Sequence, residues 1–183
     1  VVLTVIQLLL INLAMDTLAA IAFGSEPALK EYMSEKPIPR KASIISKSMF
    51  AEVILGAVYI TVICLGILFF SPLQNLFGNV DVTYLKSALF ATFMMAITFN
   101  GFNARTEHIN VFEHIGRNRN FLIVMLVIFL VQFIFVTFGG SVLGVESLTM
   151  KSWAICAVLA FLIIPLDMLR KIIVKVIHKK QDE

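Results

Sequence analysis

Five runs of apolar residues dominate the chain, each near the ~20 residues a helix needs to cross a bilayer. They cover residues 1–23, 49–70, 84–103, 121–138 and 152–169. Backbone polar groups in lipid have no water partner, so such runs must satisfy themselves as helices. The period-two alternation of a membrane β-barrel is absent. The pattern therefore predicts an all-α membrane protein, a bundle of five transmembrane helices forming one domain over residues 1–183. Composition agrees: 59% of the 183 residues are hydrophobic and the mean hydropathy is +0.92, whereas a soluble domain is roughly 45–50% apolar. The sequence opens on Val1 inside the first run, so a preceding segment is expected upstream.

Charge orders the connections. Residues 24–48 carry Lys30, Lys36, Arg40, Lys41 and Lys47, residues 104–120 carry Arg105, Arg117 and Arg119, and the tail from residue 170 carries Arg170, Lys171, Lys175, Lys179 and Lys180. Of the 15 Lys and Arg residues, only Lys86 and Lys151 lie on the other side. Basic loops stay in the cytosol, so the first helix is expected to run from outside to cytosol and the C-terminus to be cytosolic. The first basic loop holds Pro27, Pro37 and Pro39, which prevents a long helix. An ordered crossover and a solvated linker both fit it. The net charge of +3 comes without a basic stripe interleaved with aromatics, which argues against nucleic acid. Cys64 and Cys156, the two cysteines, lie in apolar runs with no metal or redox spacing.

The apolar pattern has one conspicuous interruption. Asn12 and Asp16 sit well inside the first run, and an Asp at the centre of a membrane helix costs roughly 2.5–3.5 kcal/mol. An ionisable residue at that depth points to function. Positions i and i+4 share a helix face, so Asn12 and Asp16 offer an amide carbonyl and a carboxylate to one point. Hard cations such as calcium take oxygen ligands of these types. The other reading is an interhelical hydrogen bond. Gln7 is a weaker companion, set off around the helix. Asn100 and Asn103, at i and i+3, could add oxygens from a neighbouring helix, or could cap and solvate its end. Gln132 reads as a polar tie between helices. Glu52 suits a helix N-terminus, and Asp167 a boundary ion pair with Arg170 and Lys171. Pro165 is expected to kink the last helix, with "RKIIVKVIHKK" continuing along the membrane surface. His108, His114 and His178 read as surface residues. No phosphate-binding GxxxxGK[ST] loop is present, nor a Ser-His-Asp set, so no catalytic residue is assigned.

Several strings together carry a resemblance. "NLAMDTLAAIAFGSEP" (residues 12–27) resembles the sixth membrane helix of calcium-transporting P-type ATPases, most closely the plasma-membrane subfamily. "KPIPRKASIIS" resembles the loop before the seventh helix and "TFNGFNAR" the end of the eighth. "NVFEHIGRNRNF" resembles the following cytosolic loop, and "FGG" follows the ninth helix. The resemblance spans nearly the whole chain, as membrane helices six to ten, the C-terminal membrane domain of a P-type cation ATPase. It implies an ATP-driven pump exporting Ca2+, sited in the plasma membrane. The aspartyl-phosphate, ATP and Mg2+ would belong to an upstream cytosolic domain. The partners would be the N-terminal membrane helices and cytosolic domains of the same pump, with the lipid bilayer.

By that resemblance Asn12 and Asp16 are calcium ligands, and the rest come from helices four and five. Two departures from the sarcoplasmic-reticulum branch matter. Met15 stands where that branch has Thr, and Asn100 where it has Glu. Both weaken a second site and imply one calcium per cycle. A carboxylate left in lipid without its ion neutralises rather than stay charged, which implies proton countertransport with Asp16 among the carriers. From the short tail a bacterial-type pump, without a calmodulin-binding extension, is expected. Two other readings fit the residues: a P-type pump for another cation, and a non-catalytic multi-helix membrane subunit.

Overall fold

In the computed structural model, which describes residues 2–26, 40–41, 43, 45–78 and 80–181, one helix organises the rest. We number the helices along the chain. Helix α1 (Val5–Leu10) starts at Thr4, whose hydroxyl and the Gln7 side chain cap each other's backbone N–H groups. It passes through a π-helical turn, Ile11–Met15, into α2 (Asp16–Gly24). Helix α3 (Lys47–Phe69) begins behind Ser46, and the short α4 (Ser71–Phe77) follows it. Helix α5 (Val82–Ala104) begins at Asp81, α6 (Arg119–Phe138) at Asn118, and the one-turn α7 (Gly140–Leu143) leads towards α8 (Met150–Phe161), which begins at Thr149. Helix α9 (Ile163–Gln181) ends the described chain. In each of these five capped starts a side-chain oxygen accepts from a first-turn N–H, satisfying donors that the helix itself leaves open.

Among the described residues, five segments are long and apolar enough to cross a membrane: Val5–Gly24, Ser48–Phe69, Val82–Ala104, Arg119–Phe138 and Met150–Ile177. The chain is an all-α bundle of membrane helices, and α5 is its centre. It packs against α3, α6, α8 and α9, while α2 packs on α6. The α5 span is 56% buried, against 11% for the α3 span. Ser87, Ala88, Ala91 and Ala96 are buried along it, and small residues let neighbouring backbones come close. The outer faces of α3 and α6 expose Val53, Val58, Val62, Leu126 and Leu130, as lipid-facing surfaces do.

The last span is longer than hydropathy suggests. It is interrupted at Leu162, where α8 stops and α9 starts. Pro165, lacking an N–H, cannot complete the helical ladder there. Neighbouring side chains serve the carbonyls beside the break: the Tyr59 hydroxyl donates to Leu159 O, and Asn103 Nδ2 donates to Ile163 O at 3.2 Å.

At one end of the bundle lie the connections poor in basic residues. There Gln7 Nε2 donates to Leu143 O at 2.9 Å, and Tyr84 OH donates to Ser152 Oγ at 2.8 Å. The backbone N–H of Glu146 donates to Ser87 Oγ at 2.7 Å. The opposite, basic end holds the loop between α5 and α6 and the distal half of α9. The Pro-rich stretch, read from sequence as a crossover or a linker, lies outside the described residues.

Candidate cation site

The π-helical turn places the first candidate ligands. Its widened winding lets the Asp16 N–H reach Ile11 O. It contains Asn12 and hands over to α2 at Asp16. Single π turns inside α-helices recur at functional sites. Met15 is buried at 3%, whereas Asn12 and Asp16 are exposed on the flank of the bundle.

Asp16 lines a cavity of about 200 Å³. Met15 and Phe23 wall it from the first span, Thr98 and Asn100 from α5, and Met125 and Ile128 from α6. Asp16 and Asn100 therefore share one space, although they are far apart in sequence. Asn12 does not line it. Gln7 lies elsewhere: it is buried, its Oε1 accepting from the Thr4 N–H at 2.8 Å and its Nε2 donating to Leu143 O.

The Asn100 side chain is held by its neighbours. Its Oδ1 accepts from Asn103 Nδ2 at 3.2 Å. It lies over Gly56 of α3, where a Cβ would stand 3.5 Å from Asn100 Nδ2. Asn103 is fully buried, its Nδ2 divided between Asn100 Oδ1 and Ile163 O, while its Oδ1 has no hydrogen-bond partner. The Thr98 hydroxyl donates to Met94 O at 2.9 Å, leaving oxygen lone pairs to accept. Among the described residues no group of three His, Cys, Asp or Glu side chains could hold a metal ion. Asp16, Thr98 and Asn100 are thus the polar residues lining the cavity, with the Asn100 amide set against Asn103 and Gly56, and three such side chains bring fewer oxygens than the 6–8 calcium takes.

Gln132, expected as a tie between helices, is fully buried on α6, and neither Nε2 nor Oε1 has a hydrogen-bond partner.

The basic end carries two networks that sequence reasoning missed in whole or part. In the first, Glu26 beyond α2 binds Arg105 beyond α5, with Nη1 and Oε1 2.8 Å apart. The signal was present only as motif text, in "GSEP" and "NAR". In the second, Asp167 of α9 pairs with Arg170 and with Lys171, whose Nζ lies 3.0 Å from Oδ2. The hydrogen bonds of Lys171 go to the carbonyls of Asn103 and Thr106, at 3.0 and 2.7 Å. Arg170 also reaches Glu52 Oε2 at 3.3 Å, so Glu52 belongs to an ion-pair network across α3 and α9. On the loop between α5 and α6, a hydrogen bond from His108 to Glu113, at 2.9 Å, holds the Glu113 carboxyl below its ordinary range. Desolvation opposes this, and the charges of His108, His114 and Arg105 add to it.

The family model for the C-terminus of cation-transporting ATPases matches residues 1–173. The chain belongs to that family. The match takes in the Asp16 cavity and both networks at the basic end. A plasma membrane calcium-transporting ATPase of Caenorhabditis elegans, mca-1, is 34% identical over 167 residues, covering 85% of this chain and 13% of its own. A putative calcium-transporting ATPase 11 of plasma-membrane type from Arabidopsis thaliana is 37% identical over 157 residues, covering 84% of this chain and 15% of its own. Calcium-transporting ATPase PAT1 of Dictyostelium discoideum is 35% identical over 181 residues, covering 93% and 16%. The chain spans only about a seventh of the length of these relatives.

Proposed function

We propose that this chain is the membrane region, helices six to ten, of an ATP-driven calcium pump that exports Ca2+ from the cytosol. The basic end then faces the cytosol, which agrees with the distribution of Lys and Arg. The observation that carries the reading is a carboxylate at mid-span, Asp16, lining a cavity shared with Asn100. An Asp at that depth is tolerated where a cation, or an oxygen-rich partner, offsets its cost. The names of the relatives support calcium as that cation.

Asp16 and Asn100 supply oxygens from this chain, with Thr98 as a third donor. Asn12, exposed one turn along, faces the space where the upstream membrane helices would complete the shell. Met15 lines the same cavity and brings a soft thioether, a poor ligand for a hard cation. That supports one calcium per cycle. When the ion leaves, a proton on Asp16 removes the isolated charge from lipid, which makes the pump an exchanger of calcium for protons.

The test is Asp16→Asn in the full-length protein. Calcium-dependent phosphoenzyme formation from ATP is expected to need at least about tenfold more calcium, the equivalent of ~1.4 kcal/mol. Unchanged calcium dependence would remove Asp16 from the site.

A further inference from the structure

The three helices that wall the Asp16 cavity meet again at their basic ends. Glu26 follows α2, Arg105 follows α5 and Asn118 precedes α6. Arg105 Nη1 donates to Glu26 Oε1 at 2.8 Å, and Asn118 Nδ2 donates to Glu26 Oε2 at 2.6 Å. Arg105 Nη2 donates to Val111 O at 3.0 Å and to Glu113 O. Asn118 also caps α6, its Oδ1 accepting from the Phe121 N–H at 2.9 Å. The Arg105 side chain is 2% exposed, with its guanidinium 5.8 Å from the centroid of the Phe121 ring. Phe121 packs on Phe102 at 5.2 Å and on Phe23 at 6.1 Å, and Phe23 is itself a wall of the cavity.

An exposed ion pair contributes little. This one is different, because removing Glu26 would leave a guanidinium charge buried with carbonyls alone. We propose that Glu26, Arg105 and Asn118 form a clasp that fixes Asp16 relative to Asn100 and so sets the cation affinity of the cavity. Asp16, Ala19 and Phe23 follow one another at helical spacing along α2, and Glu26, just past the end of that helix, is tied back to it by its own N–H on Phe23 O at 3.1 Å and the Ser25 N–H on Ile21 O at 3.2 Å. A shift at Glu26 is therefore carried through this turn and along α2 to Asp16. Asn100 is held the same way through the last turns of α5 to Arg105. The clasp residues touch no part of the cavity's oxygen donors. They are positioning residues, acting through α2 and α5, and this rests on the reading of Asp16 and Asn100 as ligands.

The experiment uses the full-length pump and two readouts. One is the half-saturating calcium for phosphoenzyme formation from ATP. The other is phosphoenzyme formed from inorganic phosphate without calcium, which requires a folded pump but no bound cation. Glu26→Gln keeps size and an acceptor while deleting the charge opposite Arg105. Asn118→Asp keeps the cap on α6 and replaces the donor with a second carboxylate. Each is expected to raise half-saturating calcium by roughly two- to thirtyfold while phosphate-derived phosphoenzyme stays at the parent level. Unchanged calcium dependence in both variants overturns the proposal. So does a parallel loss of both readouts in both variants, which marks a merely structural contact. If only one variant yields folded pump, that variant decides by the same criteria. Asp16→Asn, run alongside, separates the two ideas. If it leaves calcium dependence unchanged, the ligand reading fails. If it shifts calcium dependence and the clasp variants do not, the clasp alone fails.

Discussion

Gln132 brings an amide to the buried face of α6 and leaves both of its polar atoms without a hydrogen bond. An unmade hydrogen bond at a buried group costs about 1–3 kcal/mol. Gln132→Met, nearly the same volume without the amide, is therefore expected to stabilise the protein by about 1–3 kcal/mol. Thermal unfolding of the full-length protein in detergent checks this, and a lower midpoint would contradict it. Residues of this kind differ in how far sequence reveals them. Asp16 was legible because a carboxylate in an apolar run stands out against its neighbours, and Asp167 because its cations follow within one turn. The solitude of Gln132 was not, because it depends on what the facing helices present. Glu26 escaped for the same reason: its partners Arg105 and Asn118 lie far along the chain and come together only when three helices pack. Asn100 entered as a lesser candidate, and packing brings it into the space lined by Asp16.

Among the elements, the junction between α6 and α7 has the least room. A Cβ on Gly139 would stand 2.2 Å from Phe135 O and 2.5 Å from Leu143 Cδ1. The next residue, Gly140, has φ +44, a region that side chains disfavour. Gly139→Ala is expected to destabilise by about 1–3 kcal/mol, the range for forced overpacking. Gly116→Ala, with nothing within 4 Å of its added Cβ, serves as the near-neutral control. Both are read from unfolding midpoints. The helices themselves were legible, since each is an apolar run near the length a bilayer demands. The π-helical turn was not, because "INLAM" has no composition that separates it from ordinary helix. The reach of α9 to Gln181 was legible: the apolar run ends near residue 169, but "RKIIVKVIHKK" was expected to continue beyond it, and Lys and Arg extend a helix as well as Leu does.

At the scale of the whole molecule, the polar flank at Asn12 and Asp16 lies on the outside of this bundle, where the proposed function puts further helices of a pump. In vesicles holding the full-length pump, calcium uptake driven by ATP is expected to move protons in the opposite direction, followed with a lumenal pH dye. One calcium should enter per phosphoenzyme formed. Calcium uptake that leaves the lumenal pH unchanged, in the absence of other ion leaks, would contradict proton return. The five spans were legible at this scale as apolar runs, and their orientation is the expectation carried by thirteen of fifteen cations on alternate loops. The central place of α5 was hidden, since its neighbours α3 and α8 are named only by packing. That central place has a consequence for biosynthesis. The α5 span is the least apolar of the five, because helices and not lipid surround it. A weakly hydrophobic segment partitions poorly into a bilayer by itself. During synthesis α5 should therefore linger at the translocon until α8, its most extensive neighbour, emerges to shield it.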